Sequence, residues 1–398
     1  MELVNFLEQI SYALFSLTAF FAVYSLIFSI AGLWTRKSVI VNAQNVQLPF
    51  KRMAVLLPAY KEDAVIVDSA KRALMQAYPQ QAYEVIVIAD SLQPDTLRQL
   101  YELPIRVIEV SFDVSTKAKA LNAALSQLEG FDVSVILDAD NVMSARFLHL
   151  VNIAFNEGWR AVQGHRMAKN KNTSVAILDA LSEEIQNHIL RKGHRSLGLS
   201  SALIGSGMAF EFDLFRDLME HIHTTGGFDK ELEMRLLKQR IRINYLEKAI
   251  CYDEKVQNLA VLERQRSRWI AAQLKYVRPY LKTAFGQLLK GNIDYFDKFI
   301  QVITPPRMLL IGAMGFGLVI SLLLQSTGLF LLLSGQLLLL AIAYYIATPL
   351  ELKNQLTWQE FSQLPAVFVR FVRSLRWMTQ AGKQFIHTPH NTTGPTPN

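Results

Sequence analysis

Two stretches of this chain carry no charged residue: Ile10 to Trp34, 25 residues, and Met308 to Leu350, 43 residues. They constrain the fold more than any other feature. A helix needs ~20 consecutive apolar residues to cross a hydrocarbon core, where only helices or closed barrels satisfy their own backbone groups. The first run suits one spanning helix and the second suits two, broken near Gln325-Ser326-Thr327-Gly328. Glu2 and Glu8 precede the first run and no Lys or Arg does, which is unlike a cleavable signal peptide. Arg36, Lys37, Lys51 and Arg52 follow it. Lys282, Lys290, Lys298 and Arg307 precede the second run, and Lys353, Arg370, Arg373 and Arg376 follow it. The positive-inside rule then predicts three spans in the plasma (inner) membrane, with the N-terminus outside and both long polar segments cytoplasmic. Much of the net charge of +7 sits beside these runs, so it points to membrane lipid rather than nucleic acid. The single cysteine, Cys251, excludes an intramolecular disulfide.

From Met53 short apolar runs alternate with amphipathic ones. Met53 to Leu57 reads as a strand stopped by Pro58, Ala64 to Gln76 as a helix, and Tyr83 to Ala89 as a second strand ending at Asp90. Pro94 opens another helix, Ile105 to Val110 is a third strand, and Ala118 to Leu128 is a helix. Val133 to Leu137 is an apolar, β-branched run that ends in Asp138-Ala139-Asp140. Strands separated by helices predict an α/β fold with a parallel sheet and right-handed crossovers. Such a sheet collects its strand ends on one edge, where ligands bind, so Tyr60, Asp90 and Asp138 to Asp140 are expected to converge there. Two Asp one residue apart offer hard oxygen ligands to Mg²⁺ or Mn²⁺. The plainer alternative has Asp138 capping a helix that starts near Ser144 and Asp140 in a solvated turn.

Pro58-Ala59-Tyr60-Lys61-Glu62, Asp90, Lys117-Ala118-Lys119-Ala120-Leu121-Asn122 and Asp138-Ala139-Asp140, in that order, resemble the opening half of a family 2 glycosyltransferase with a GT-A fold. Gln265-Arg266-Ser267-Arg268-Trp269 is similar to the Gln-x-x-Arg-Trp signature of that family's membrane-embedded branch. That branch includes cellulose, hyaluronan and poly-N-acetylglucosamine synthases, and ceramide glucosyltransferases carry a related motif. The resemblance covers about Met53 to Leu281. Together with the uncharged runs and their flanking charges, it gives an N-terminal region with one spanning helix (1–34) and a cytoplasmic GT-A catalytic domain with a mostly parallel sheet (50–280). Interfacial helices (281–306), two further spans (308–350) and an amphipathic cytoplasmic tail (355–398) would follow.

Roles follow from the same resemblance. Asp90 would hold the uracil of a UDP-sugar, with Tyr60 and Glu62 in the donor pocket; a turn Asp bonding its own backbone is the alternative. Lys117 and Arg268 would offset diphosphate charge, whereas Lys119 reads equally well as a solvated helix position. Asp140, with Asp138 beside it, would bind the metal. Trp269 would stack on the acceptor sugar, with Gln265 and the loop Gly205-Ser206-Gly207 around it. The alternatives there are Arg and Trp anchors on an interfacial helix, and a plain turn. The general base is expected between Gly226 and Glu233, where the family carries an acidic pair, usually Glu-Asp, and this chain has Lys230-Glu231. Aligning Leu232-Glu233 with the family's apolar-acidic step favours Glu231, with Asp229 and Glu233 as alternatives. In the tail, Phe385 to Thr388 resembles the gating loop of cellulose synthases, with Thr388 on the diphosphate; a disordered terminus is the alternative. His165, His221 and His223 receive no role.

The function expected is an inverting, metal-dependent transfer from a UDP-sugar to a growing β-linked polysaccharide. Single transfer onto a lipid acceptor is the alternative, and a non-catalytic, sugar-nucleotide-binding membrane subunit is the remote one. Known polymer channels of this family use more than three helices. A polysaccharide synthase of this size would therefore need a homo-oligomer or a partner membrane subunit.

Overall fold

Eight strands alternate with helices in the computed structural model, which describes residues 2–34, 48–224 and 226–377. They are β1 (Met53–Tyr60), β2 (Tyr83–Asp90), β3 (Arg106–Val110), β4 (Val133–Ile136), β5 (Val142–Met143), β6 (Ala161–Ala168), β7 (Met208–Glu211) and β8 (Asn244–Asp253). All join one sheet in the order β3-β2-β1-β4-β7-β6-β8-β5. The β3-β2-β1-β4 half is parallel, as the alternation of strands and helices predicts. β7 then runs antiparallel to both β4 and β6, β6 and β8 are parallel, and β5 is antiparallel to β8. The result is a mixed α/β sheet.

Alternate residues of each strand feed two cores, because successive side chains point to opposite faces. Val55, Leu57, Val85, Val87 and Val135 pack with Ile66, Leu148 and Val151 on one side. Leu56, Ile86, Ile88 and Ile136 pack with Leu121, Phe215 and Leu232 on the other. Burial on both faces explains why these strands read as unbroken apolar runs.

Pro58 does not stop β1, which continues to Tyr60. The Leu56 carbonyl accepts the Leu137 N–H, so residues 54, 56 and 58 turn their backbone groups toward β4. Pairing with β4 ends at Leu56, and the N–H that Pro58 lacks has no ladder bond to lose.

The apolar runs form helices Glu2–Ala31, Arg307–Leu323 and Thr327–Ala347. Gln9–Ala31 and Thr327–Ala347 are long and apolar enough to cross a membrane. Arg307–Leu323 makes a third candidate only together with Ile293–Ile303, from which it bends by 63°. Pro305 and Pro306 sit at that bend. The break within the second run falls where expected, with Ser326 Oγ capping the Leu329 N–H at 3.3 Å. Phe15, Phe21 and Ala22 pack against Leu310, Met314, Leu333 and Leu340. Buried Gln336 donates to the Phe15 carbonyl at 3.0 Å and accepts from Thr18 Oγ1 at 2.6 Å, a polar tie suited to an apolar helix bundle.

A boundary expected at residue 280 falls inside a single helix, Leu259–Leu289, that continues through Pro279. It runs about 46 Å at 1.5 Å per residue and carries the strand-end region toward the apolar helices. The amphipathic stretch near the C-terminus is helix Trp358–Ser374, opened by a Thr357–Glu360 capping box.

Candidate active site

Tyr60 ends β1 opposite Asp90 at the end of β2. Each is followed by a non-glycine residue in the left-handed region, Lys61 at φ 56° and Ser91 at φ 59°. The Lys61 N–H donates to the Asp90 carbonyl at 3.1 Å and ties the two ends together. Backbone of this kind costs of order 1–3 kcal/mol per residue and concentrates at functional sites. Nothing in the local sequence signals it.

β4 stops at Ile136, and the Asn141 N–H donates to the Asp138 carbonyl at 3.1 Å, closing the acidic turn. The next helix, Phe147–Asn156, has no side-chain cap, so Asp138 does not serve as one. Asp138 is gripped by the Lys117 ammonium, which also donates to the Gly205 carbonyl at 2.8 Å. Asp140 is only 2% exposed; its two carboxylate oxygens accept the Glu254 N–H at 3.0 Å and the Asn141 amide at 3.2 Å. Ser206 Oγ accepts the Asp138 N–H at 2.9 Å and donates to Asn141 Oδ1.

Behind the turn lies an ionic network that sequence reasoning missed. Asp253 accepts from Asn141 at 3.2 Å and from Lys255 at 2.7 Å, with Arg166 at 3.7 Å. Glu183 pairs with Arg166 at 2.6 Å and with Lys255. Burial alone would push the Asp253 and Glu183 carboxyls up; Arg166 and Lys255 outweigh it and hold both below the usual range. A signal was available, because Asp253-Glu254-Lys255 closes the run Ala249-Ile250-Cys251-Tyr252 much as Asp138 to Asp140 closes Val133 to Leu137.

These groups open onto one cavity of about 1550 Å³. Tyr60, Asp90, Asp138 and Asp140, which the strand-end argument brings to one edge, line it together with Glu62 and Lys117. Lys119 does not; it is exposed and donates to the Val114 carbonyl at 2.9 Å. Of the glycine loop only Gly205 reaches the wall. Ser206 and Gly207 lie behind it, Ser206 bracing the acidic turn and the Gly207 carbonyl accepting the Gly164 N–H at 2.7 Å. The expected acceptor contacts of those two residues are corrected accordingly.

Helix Phe228–Lys238 begins after Gly227, whose φ of 73° is a glycine conformation. Asp229, Lys230 and Glu233 lie on the cavity wall. Glu231 is two residues from Asp229, about 200° around the helix, and is not among the wall residues. It accepts instead from Arg235 at 2.7 Å. The expectation that Glu231 faces the acceptor does not match its place on the helix: the carboxylates this helix brings to the wall are Asp229 and Glu233. Burial pushes the Asp229 carboxyl up, and the Lys230 cation only partly offsets this. Glu233 is buried, accepts the Leu203 N–H at 2.9 Å, and pairs with Lys230 at 3.4 Å and Lys298 at 3.6 Å. Burial would raise its carboxyl, but the two cations hold it low.

Gln265, Arg268, Trp269, Ala272 and Tyr276 recur at helical spacing on Leu259–Leu289 and line the same cavity. Burial lowers the Arg268 guanidinium while Asp138 opposes the shift. Trp269 is 42% exposed, and the Arg266 guanidinium, itself paired with Asp179, lies 4.2 Å from its ring centroid. His165, His221 and His223 are not on this wall. Thr388 lies outside the described residues.

Among the described residues no three His, Cys, Asp or Glu side chains form a metal cage. Mg²⁺ and Mn²⁺ do not require one, since one or two carboxylates plus substrate phosphates commonly suffice. Asp138 and Asp140 face the cavity with hard oxygen donors, and that donor set fits such an ion.

A mixed sheet with an acidic turn at the end of its fourth strand, roofed by a long helix, defines an α/β protein of the GT-A class. The model described as "Glycosyltransferase like family 2" matches residues 51–272, more than half of the chain, and the chain belongs to that family. It is 26% identical over 259 residues to the probable glycosyltransferase YdaM of Bacillus subtilis (strain 168), a match spanning 62% of this chain and 61% of that relative. Its fold is similar to that of the mannosyltransferase PcManGT from Pyrobaculum calidifontis, solved with GDP-Man and Mn²⁺. That likeness has a TM-score of 0.52 at 18% identity and covers 93% of this chain and 99% of the other.

Proposed function

We propose that this protein is a membrane-anchored, inverting glycosyltransferase that moves a sugar from a nucleotide-diphosphate donor onto a lipid-borne acceptor. One observation carries the reading. The cavity lined by Asp90, Asp138 and Asp140 also has an apolar limb, walled by Leu310, Ile311, Tyr344, Leu364 and Phe368. Those side chains belong to the apolar helices and to the amphipathic helix Trp358–Ser374, a wall suited to a lipid. The helices that qualify by length and composition supply the anchor, and their flanking charges favour a cytoplasmic catalytic domain.

Asp90 and Tyr60 take the base of the donor, with uridine the expected nucleoside. The GDP-Man bound to PcManGT makes guanosine the other base to test. Lys117 and Arg268 face the diphosphate. Asp138 and Asp140 would hold Mg²⁺ or Mn²⁺, which when bound would neutralise charge on the departing diphosphate. Asp229 accepts the proton of the acceptor hydroxyl as that oxygen attacks the anomeric carbon. The bond from this carbon to the diphosphate oxygen breaks on the opposite face, the nucleoside diphosphate leaves, and the configuration inverts.

Extension of a β-linked polysaccharide is the second reading. Trp269 favours it, since an exposed indole on the cavity wall suits stacking on a sugar. With two or three candidate spans, that role calls for a second copy or a partner subunit to complete a channel. The non-catalytic alternative drew its support from the altered acidic pair; Asp229 on the wall supports a catalytic role instead. The test is purified protein in lipid, given UDP- and GDP-sugars, with products sized by mass spectrometry. A single sugar on a lipid is the expected product. A ladder would replace this reading with the polymer one, and no product with any donor would sink both.

A further inference from the structure

A second cavity, of about 320 Å³, shares only Thr348 with the site above. β6 and β8 form one side of it, the π-helical turn Asn187–Gly193 another, and the end of helix Thr327–Ala347 with Pro349 to Leu352 the third. π-helical turns are rare and recur at functional positions.

The wall has two characters. Ile346, Ala347, Pro349 and Leu352 make it apolar where the long helix ends. The wall also carries charges of both signs: Lys192 donates to Glu247 at 2.7 Å, and Lys171 to Glu351 at 2.5 Å. Glu247 and Glu351 are substantially exposed in these pairs, and ion pairs of that kind contribute little, so a ligand can exchange into them. The apolar side also continues beyond the cavity. Ile346, Ile342, Leu338 and Leu331 fall on one helical face, spaced four, four and seven residues apart. Leu338 and Leu331 are more than 60% exposed along it.

We propose that this cavity binds the headgroup of a phosphoethanolamine lipid, whose acyl chain lies along the Leu331–Leu338–Ile342 face. The headgroup carries the same two charges as each of these ion pairs. Its phosphate takes the place of a carboxylate at Lys192 or Lys171, and its ammonium takes the place of a lysine at Glu247 or Glu351. A purely anionic headgroup would release a carboxylate with no cation to receive it. A quaternary ammonium has no N–H to donate to a carboxylate. The site rests on Thr327–Ala347 being a membrane span and is independent of the transferase reading.

Full-length protein in detergent micelles is titrated separately with phosphatidylethanolamine, phosphatidylcholine and phosphatidylglycerol, and adducts are counted by native mass spectrometry. One phosphatidylethanolamine per chain is expected, with half-saturation about tenfold below that of the other two lipids. Glu247→Gln and Lys192→Gln, neither of them in the catalytic cavity, should each erase that preference while melting like the wild type. Equal retention of the three lipids, or tighter phosphatidylglycerol, overturns the assignment. Should either variant fail to fold, the ranking of lipids by the wild type decides alone. Flotation with liposomes separates the two premises: protein that fails to float removes the span, and protein that floats without the preference removes only the site.

Discussion

Replacing Asp229 by Asn should remove transfer without weakening the fold. A general base contributes typically 10²–10⁴-fold, about 3–5 kcal/mol of the barrier, and the amide cannot accept the proton. Stability should move the other way. Burial raises the Asp229 carboxyl in the folded chain, so the fold favours its neutral form. That contribution is fully present below the unfolded value of ~3.9 and is lost as pH rises through the raised folded value. At neutral pH the wild type therefore bears the cost of a disfavoured carboxylate, and the Asn variant does not. Its melting temperature should equal or exceed that of the wild type, and its nucleotide affinity should be unchanged. For the same reason the acidic limb of the wild-type kcat/KM profile should lie above the ordinary aspartate range. Glu231→Gln is the control. It removes a partly buried i,i+4 pair with Arg235, worth on the order of 0.5 kcal/mol, and should alter rates by no more than a few-fold. Initial rates, nucleotide calorimetry and thermal melts on the three proteins make the comparison. A hundredfold loss in Glu231→Gln, with Asp229→Asn near wild type, would refute the helix-face reasoning.

Glu233→Gln leaves Lys298, which is fully buried, without its carboxylate, and should cost about 3–5 kcal/mol, read as a fall in Tm. Lys255→Met removes a cation that holds the Asp253 and Glu183 carboxyls low. Stability from such depressed groups is present above their unfolded values of ~4 and lost as pH falls through the folded ones, so acid unfolding followed by circular dichroism should begin at higher pH in the variant. Asp140→Asn should abolish transfer with the fold retained, and EDTA should inactivate the wild type; full turnover in excess EDTA would take the metal out of the reaction. Gly312 meets the Phe368 ring so closely that any side chain there must displace it. Gly312→Val should thus narrow the apolar limb and raise KM for a lipid acceptor several-fold while the KM for the donor stays put. An unchanged acceptor KM would argue that the acceptor does not enter that limb.

Local pattern made much of this legible. The β-branched runs at Val85 to Ile88 and Val133 to Ile136 are strands because both their faces are buried, and that burial removed every polar residue but Ser134 from them. Asp90, Asp138 and Asp140 reach one cavity because parallel strands bring their carboxyl ends to the same edge. Other features were hidden because they depend on partners far along the chain. Whether Pro58 ends a strand depended on where β4 stops pairing. The orientation of Glu231 depended on which face of its helix meets the sheet, and a two-residue shift in an acidic motif reverses that face. Ser206 looked like part of an acceptor loop, yet it braces Asp138 because β7 lies beside β4.

The amino-acid order alone determined the apolar helices, the alternating α/β pattern and the carboxylates at the strand ends. These follow from the free energy of burying apolar surface and from backbone periodicity, both of which act within a window of some twenty residues. Tertiary structure alone decided that Asp229 faces the cavity and that Arg166, Glu183, Asp253 and Lys255 meet behind the acidic turn. It also joined the cavity to an apolar limb. Each of those outcomes sets side chains from separate elements against one another, and charge and shape complementarity across such distances leave no periodic trace in the chain.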